Sequence, residues 1–313
     1  LKTKLLGLAK LEYHERMIEY GRITKTYSYE ETTGLVSRTF HRIDPKFGQI
    51  FDGFVRDRRI DVFPVKGKFN SAFCAAGSLM LPTYILLNHT NIIADVRTLA
   101  HESGHGINDE LMKAKQNALN FGSPLSTAEV ASTFMEDFVW GELMAEADDE
   151  LRLAIMVKKL DDDVSTIFRQ VACYRFEQEL HATFREKGYL GKEVIGKLFQ
   201  KQMAAYMGGA VKQSAGSENW WIYWGHIRSF FYVYSYASGL LISKSLQAAV
   251  REDPGFIVKV KQFLAAGSSD SPKNIFLRLG IDITDEGFWL KGLAETEKLL
   301  GEAEALAKKL GKI

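Results

Sequence analysis

Cysteine is nearly missing from this chain. Cys74 and Cys173 are the two present in 313 residues, and they form no metal-type pair. A disulfide framework is therefore excluded, and the usage fits a reducing, cytoplasmic compartment. Long apolar runs are missing too. The best candidate, FFYVYSYASGLLIS at 230–243, is short and broken by serines, against the ~20 residues a membrane span needs. Neither sign of charge dominates: 40 Lys+Arg against 39 Asp+Glu leave a net +1. Without a basic surplus to neutralise phosphates, nucleic acid is not an expected partner, and neither is a membrane. The first 20 residues are amphipathic and charged throughout, with no small-residue cleavage pattern. No internal repeat, low-complexity tract or linker divides the sequence. With 46% hydrophobic residues it can bury a sizeable core. We read residues 1–313 as a single mainly α domain, and the start at Leu1 rather than Met as the mark of a fragment or processed chain.

Most of that domain carries helical spacing, including residues 2–20. Ser28 and Glu31 form a capping-box signature, and Pro45 stands near the first turn of the next helix. Between about 58 and 88 the texture changes to short β-branched or aromatic runs, RRIDVFPVKGK, SAFCAA and PTYILLN, separated by Gly, Pro and Asn. This predicts a small sheet, its first strand at an edge because of Pro64. Helices are expected again at about 95–120, 125–147, within 150–187 and at 230–252, then as three shorter ones to the end. The glycine- and tryptophan-bearing stretch at 207–226 reads as a loop.

The first of these later helices carries TLAHESGHGIND, residues 98–109. His101 and His105 lie four apart, so a helix aims both imidazoles at one point. Zinc takes imidazole ligands, and a catalytic zinc commonly has three protein ligands plus a water. Glu102 can reach that water without ligating the metal, which makes His-Glu-x-x-His two ligands and a general base in one turn. The preceding apolar stripe of Ile93, Val96, Leu99 and Ala100 buries one side of the helix, where two histidines and a glutamate are costly without a partner.

A third ligand must come from elsewhere. STAEVASTFMEDF offers Glu129 and Glu136, seven apart on one helix face, and either could supply it. If Ser126 caps that helix, Glu129 is merely the glutamate of a capping box. If Ser123 caps it with Pro124 at the first position, Glu129 falls in the second turn and can face inward. We favour Glu129 as the ligand and Glu136 as the group that orients a histidine.

Taken in order from about Tyr29 to Trp289, FNSAFCAAG, PTYILLNHTNIIADVRTLAHESGHGIND, STAEVASTFMEDF, HIRSFFYVYSYASGLL and FLAAGSSDSPKNIFLRLGIDITDEGFW resemble the catalytic core of the oligoendopeptidase F and thimet oligopeptidase family of zinc peptidases. The resemblance implies a zincin-like helical fold with a deep channel that admits short peptides. It implies one Zn2+ per chain on His101, His105 and Glu129, with Glu102 as general base for the attacking water. It assigns His226 to substrate binding and to the tetrahedral intermediate, with Tyr232 and Tyr234 as the tyrosine candidates. We prefer Tyr234, eight residues after His226 and near the same face of a helix. A phenol hydroxyl suits that task because it can donate to the oxyanion.

Substrate is expected to lie extended along a strand of the sheet region, at Ser71, Ala72 and Phe73. Ser71 and Asn108 depart from the family pattern, standing where glycine and histidine are usual. Family members also carry a longer N-terminal helical region, so a second copy of the chain or a further N-terminal segment is expected to complete the channel. The alternative reading is a domain of the same fold that binds peptide or zinc without turnover.

Overall fold

The computed structural model describes residues 1–21 and 23–313. Its helices in chain order are α1 (Lys2–Leu5), α2 (Tyr29–Ile43), α3 (Pro45–Arg56), α4 (Ile93–Lys113), α5 (Val130–Glu146) and α6 (Asp149–Val164). They continue with α7 (Gln170–Lys187), α8 (Lys192–Met207), α9 (Tyr234–Glu252), α10 (Ile257–Leu264), α11 (Pro272–Arg278) and α12 (Glu286–Lys309). The strands are β1 (Ile60–Asp61), β2 (Phe73–Ala75) and β3 (Tyr84–Leu86). Among the described residues no helix is long and apolar enough to cross a membrane.

The chain folds into two compact units. One comprises Leu1–Arg22, Asp148–Ser238 and Thr296–Ile313, the other Ile23–Ala147 and Gly239–Glu295. Each is assembled from separated stretches of chain, so no linker composition marks the division.

The second unit holds the sheet and α4. Ser28 accepts from the Glu31 amide and Glu31 returns the bond, closing the capping box that starts α2. Pro45 opens α3 behind an Asp44 cap. Phe40, Phe47, Phe51 and Phe54 from these two helices are fully buried, as are Val96, Leu99, Ala100 and Ile107 of α4. The apolar stripe that precedes the histidines is thus core. The sheet runs in the order β1-β3-β2. β1 pairs parallel to β3 with Ile60 opposite Ile85, and β2 pairs antiparallel to it with Cys74 opposite Ile85. β1 is an edge strand, in keeping with Pro64; β2 is the other edge.

Several boundaries differ from the sequence reading, each for a local reason. The helix expected over 2–20 stops at Leu5, because Gly7 turns the chain with φ +66° and Leu11 then bridges to Val211. α4 ends at Lys113, and Asn117 closes a turn by accepting from the amides of Leu119 and Asn120. α9 begins at Tyr234 rather than Phe230, since Phe230 and Phe231 have φ of +38° and +56°. The loop at 207–226 contains short segments of 3-10 helix. α12 is 24 residues long, not short, its latter half drawn largely from Ala, Glu, Leu and Lys.

Candidate metal centre

α4 sets His101 and His105 one turn apart, with ring centroids 5.1 Å from each other. Their Nε2 atoms lie 3.4 and 3.5 Å from the same oxygen, Oε2 of Glu129. One donor atom from each of these three residues falls within 4.8 Å of the others. Those separations are long for hydrogen bonds. They are close to the ligand–ligand edge of a tetrahedron with metal bonds of ~2.0–2.1 Å, which is about 3.3–3.4 Å. Two imidazole nitrogens and a carboxylate oxygen are also the donor types zinc accepts, so the residues fit the ion.

Glu129 gains its place by a route the sequence did not show. A 3-10 turn, Leu125–Thr127, follows Pro124, and Glu129 itself is the N-cap of α5 with φ −92° and ψ 2°. Neither Ser126 nor Ser123 is the α5 cap. Ser132 holds the Glu129 carboxylate by donating to Oε2 at 3.0 Å. Glu136, farther along α5, accepts from His101 Nδ1 at 2.9 Å and from Trp140 Nε1 at 3.3 Å. A carboxylate on Nδ1 fixes the tautomer and leaves Nε2 as the free donor atom.

The electrostatics suit a cation. Burial pushes the His101 imidazolium down, but bonding to Glu129 and Glu136 outweighs it and raises the group to about 10. Burial pushes Glu129 up, yet pairing with His101 and His105 holds it well below the usual carboxylate range. Two carboxylates around two imidazoles attract positive charge, whether a proton or a metal, and a metal must displace the proton.

Two glycines make this geometry possible, and the sequence reading passed over both. A Cβ on Gly104, inside HESGH, would lie 2.7 Å from the Ala131 carbonyl oxygen and 2.7 Å from Ser132 Cα. A Cβ on Gly239 would lie 2.6 Å from Glu129 Cβ. Backbone therefore meets backbone where α4 and α9 pass the start of α5. The signal was available: glycine within a helix costs about 1 kcal/mol relative to alanine and calls for a packing reason.

Glu102 is 8% exposed, and burial raises its carboxyl. Both histidines, and a hydrogen bond from the Cys74 backbone amide on β2, pull it back down. β2 thus passes directly beside the base. Ser71 and Ala72 lead into this strand, and Phe73, its first residue, packs on Phe69 with ring centroids 5.9 Å apart. Asn108 is a fastener rather than a donor to the site: its Nδ2 donates to the Leu264 carbonyl at 2.6 Å and its Oδ1 accepts from Ser123.

Asp109 accepts from the Cys74 thiol at 3.6 Å, and burial raises its carboxyl to about 6. That exceeds the ~3.9 of an unfolded aspartate. Below both values the group is protonated in either state and costs nothing. As pH rises from about 4 through 6 the folded state loses stability relative to the unfolded, a cost of about 3 kcal/mol at pH 7.5. Asp109→Asn is therefore expected to raise the melting temperature of the metal-free protein by roughly 3–6 °C at pH 7.5 and by nothing near pH 4. Thermal scans at the two pH values decide it; an equal gain at both would assign the effect to packing instead.

The other unit contains a second cluster. His226 Nε2 shares a 3.0 Å hydrogen bond with the Tyr236 hydroxyl, and Tyr232 stacks on the imidazole at 5.3 Å. Burial, then the charge of Arg169, lowers the His226 pKa. Tyr234, preferred from the sequence, is 38% exposed and meets the ring of Tyr174 instead. Counting eight residues along a helix fails here because the left-handed pair Phe230–Phe231 interrupts it. Tyr236, the residue joined to His226, was missed for the same reason. The Phe231 amide donates to the fully buried Glu177 at 3.0 Å, which fastens that turn.

Comparison with known proteins agrees with this architecture. The sequence model of Peptidase family M3 matches residues 30–295. Group B oligopeptidase PepB of Streptococcus agalactiae is 27% identical across 99% of this chain and 52% of its own length. Oligopeptidase PepF of Bacillus subtilis is 28% identical across 90% of this chain and 42% of its own. The chain spans about half the length of the curated relatives it matches. Among solved structures, one from Chlamydophila abortus superposes with a TM-score of 0.85 at 24% identity, covering 97% of this chain and 51% of that one. Oligoendopeptidase-F from Enterococcus faecium gives 0.68 at 21% identity, covering 98% and 49%. These two likenesses show the fold.

Proposed function

The chain belongs to peptidase family M3, and on that footing we propose that it is a zinc-dependent endopeptidase of short peptides. The observation that carries the reading is the spacing of His101, His105 and Glu129 about one point, with Glu102 beside them. Zinc, when bound there, supplies Lewis acidity and lowers the pKa of its water to ~7. Glu102 takes a proton from the water as its oxygen bonds to the scissile carbonyl carbon, and then delivers that proton to the amide nitrogen as the oxyanion collapses and the C–N bond breaks. A carboxyl raised by burial is a stronger base than an ordinary glutamate and suits transfer near neutral pH.

Glu136 keeps the His101 tautomer, and Ser132 steadies Glu129. The outer edge of β2, unpaired among the described residues, accepts an extended peptide at Ser71, Ala72 and Phe73. The family resemblance supports His226, with Tyr232 and Tyr234, as the groups that bind substrate and donate to the oxyanion, and within its own unit the tyrosine hydrogen-bonded to His226 is Tyr236.

The test couples zinc content after gentle purification to cleavage of a mixed pool of short peptides, followed by mass spectrometry. One zinc per chain with cleavage that chelation abolishes and zinc restores is the expected result. One zinc and peptide binding without cleavage would replace the proposal with a binding domain of the same fold. No zinc, and no uptake when it is added, would overturn the metal site.

A further inference from the structure

We infer that Glu177 is a positioning residue of the His226 cluster: its carboxylate holds the turn at Phe230–Phe231 and so sets where the imidazole stands against its tyrosines. For its consequence in turnover the inference rests on the reading of His226 and the tyrosines as substrate and oxyanion groups. The geometry it concerns lies within one unit of the fold.

The turn needs a restraint. Phe230 and Phe231 have φ of +38° and +56°, where residues with a Cβ are uncommon. Such conformations persist only where the surrounding structure over-determines them. No glycine relieves either position. The pair separates the 3-10 segment Gly225–Ser229, which carries His226, from Tyr232 and from α9, which carries Tyr236. A change of torsion here moves the two sides of the cluster relative to each other.

One face of α7 supplies the restraint. Tyr174, Glu177 and His181 are spaced three and four apart, so they line one side of the helix. The Tyr174 ring meets that of Phe231 at 5.6 Å. The His181 ring meets those of Phe230 and Phe231 at 5.9 and 5.2 Å. Ring contacts act on side chains. Glu177 acts on the backbone, because its Oε1 accepts from the Phe231 amide at 3.0 Å. That amide belongs to the peptide bond joining the two left-handed residues.

Glu177 is also a costly way to fill space. It is 0% exposed, and its Oε2 is buried with no hydrogen-bond partner. A carboxylate so placed carries a desolvation cost that an apolar side chain of similar size would not. Burial accordingly raises the carboxyl, and the Phe231 amide and then the charge of His181 pull it back. Among the described residues the hydrogen bond made by this carboxylate is the one to the turn.

The experiment reads the imidazole directly. Proton–carbon NMR of histidine-labelled protein follows the titration of His226, assigned by its loss in His226→Gln. Zinc content, melting temperature, kcat and KM are measured on the same variants. Glu177→Leu has similar bulk and accepts nothing. His226, now lowered chiefly by burial, is expected to titrate higher in that variant as the released turn admits water, toward the ~6.5 of a free imidazole. With zinc content unchanged, kcat should fall by about 10–100-fold. Glu177→Gln keeps an acceptor for the Phe231 amide. It should lose melting temperature, since its amide hydrogens replace the unpaired oxygen in a buried place, yet leave the His226 titration and kcat near those of wild type. A role in stability alone would lower the melting temperature in both variants and shift His226 in neither. If Glu177→Leu does not fold, Glu177→Asp, whose carboxyl falls one carbon short of the amide, takes its place. An unmoved His226 titration in the folded variant overturns the proposal, whatever the activity. So does a Glu177→Gln protein that shifts His226 as far as Glu177→Leu does. Zinc-loaded wild type that cleaves nothing would sink the peptidase reading and leave the NMR titrations to decide this one.

Discussion

Glu102→Gln is expected to retain its zinc and to lose turnover by about 10²–10⁴-fold. Glutamine has nearly the same shape and can still accept the Cys74 amide, so the neighbourhood of α4 and β2 should hold. What it cannot do is take a proton. The two histidines and Glu129 define the candidate ion site without Glu102, so metal content is the internal control. Zinc per chain and kcat/KM should be measured on the same preparations. Fully loaded variant protein that cleaves at a rate near wild type would sink the role of Glu102 as base. Loss of zinc from the variant would reassign Glu102 as a ligand.

Gly104→Ala should be nearly as damaging, although a methyl group is the smallest change available. The new carbon would meet the Ala131 carbonyl oxygen and Ser132 Cα at 2.7 Å. Both are backbone atoms of α5 and cannot rotate away. The helices must separate by several tenths of an ångström, an overpacking cost of about 1–3 kcal/mol. Because Glu129 sits at the start of α5, it moves with that helix away from the histidines, and zinc affinity is expected to fall by about 10–100-fold. Gly106→Ala is the comparison. Its Cβ would meet the buried ring of Phe54 at 2.8–2.9 Å, which strains the core but does not push on α5 or Glu129. Melting temperature and zinc titration of the pair test the argument, and Gly104→Ala with wild-type zinc affinity would refute it.

What could be read from the sequence was what short spacing determines. The pairing of His101 with His105 needs only the 3.6-residue period, and the Ser28–Glu31 box and Pro45 are local chemistry. The sheet region betrayed itself through β-branched runs between turn residues. Glu129 and Glu136 were both visible as carboxylates, and Glu129 was favoured as the ligand, but on a cap at Ser123 that the structure lacks: Pro124 and a 3-10 turn shift the cap to Glu129 itself. Gly104 and Gly239 answer to contacts with residues far away in sequence. Tyr236 was hidden because Phe230 and Phe231 break the helical count.

The shortness of β2 has a consequence for how a peptide could be held. Three residues pair it to β3, and successive backbone groups alternate between the two sides of a strand. The Cys74 amide on that outer side is already given to Glu102, so the edge can offer only about one or two hydrogen bonds, each worth roughly 1 kcal/mol net. Straightening a free peptide costs about 1–2 kcal/mol of conformational entropy for every residue fixed. Such an edge works as a ruler and not as an anchor. It registers the chain against Glu102 but leaves most of the ordering cost uncovered. Peptides already biased toward the extended form should then gain most from the site, and those that favour helix should gain least.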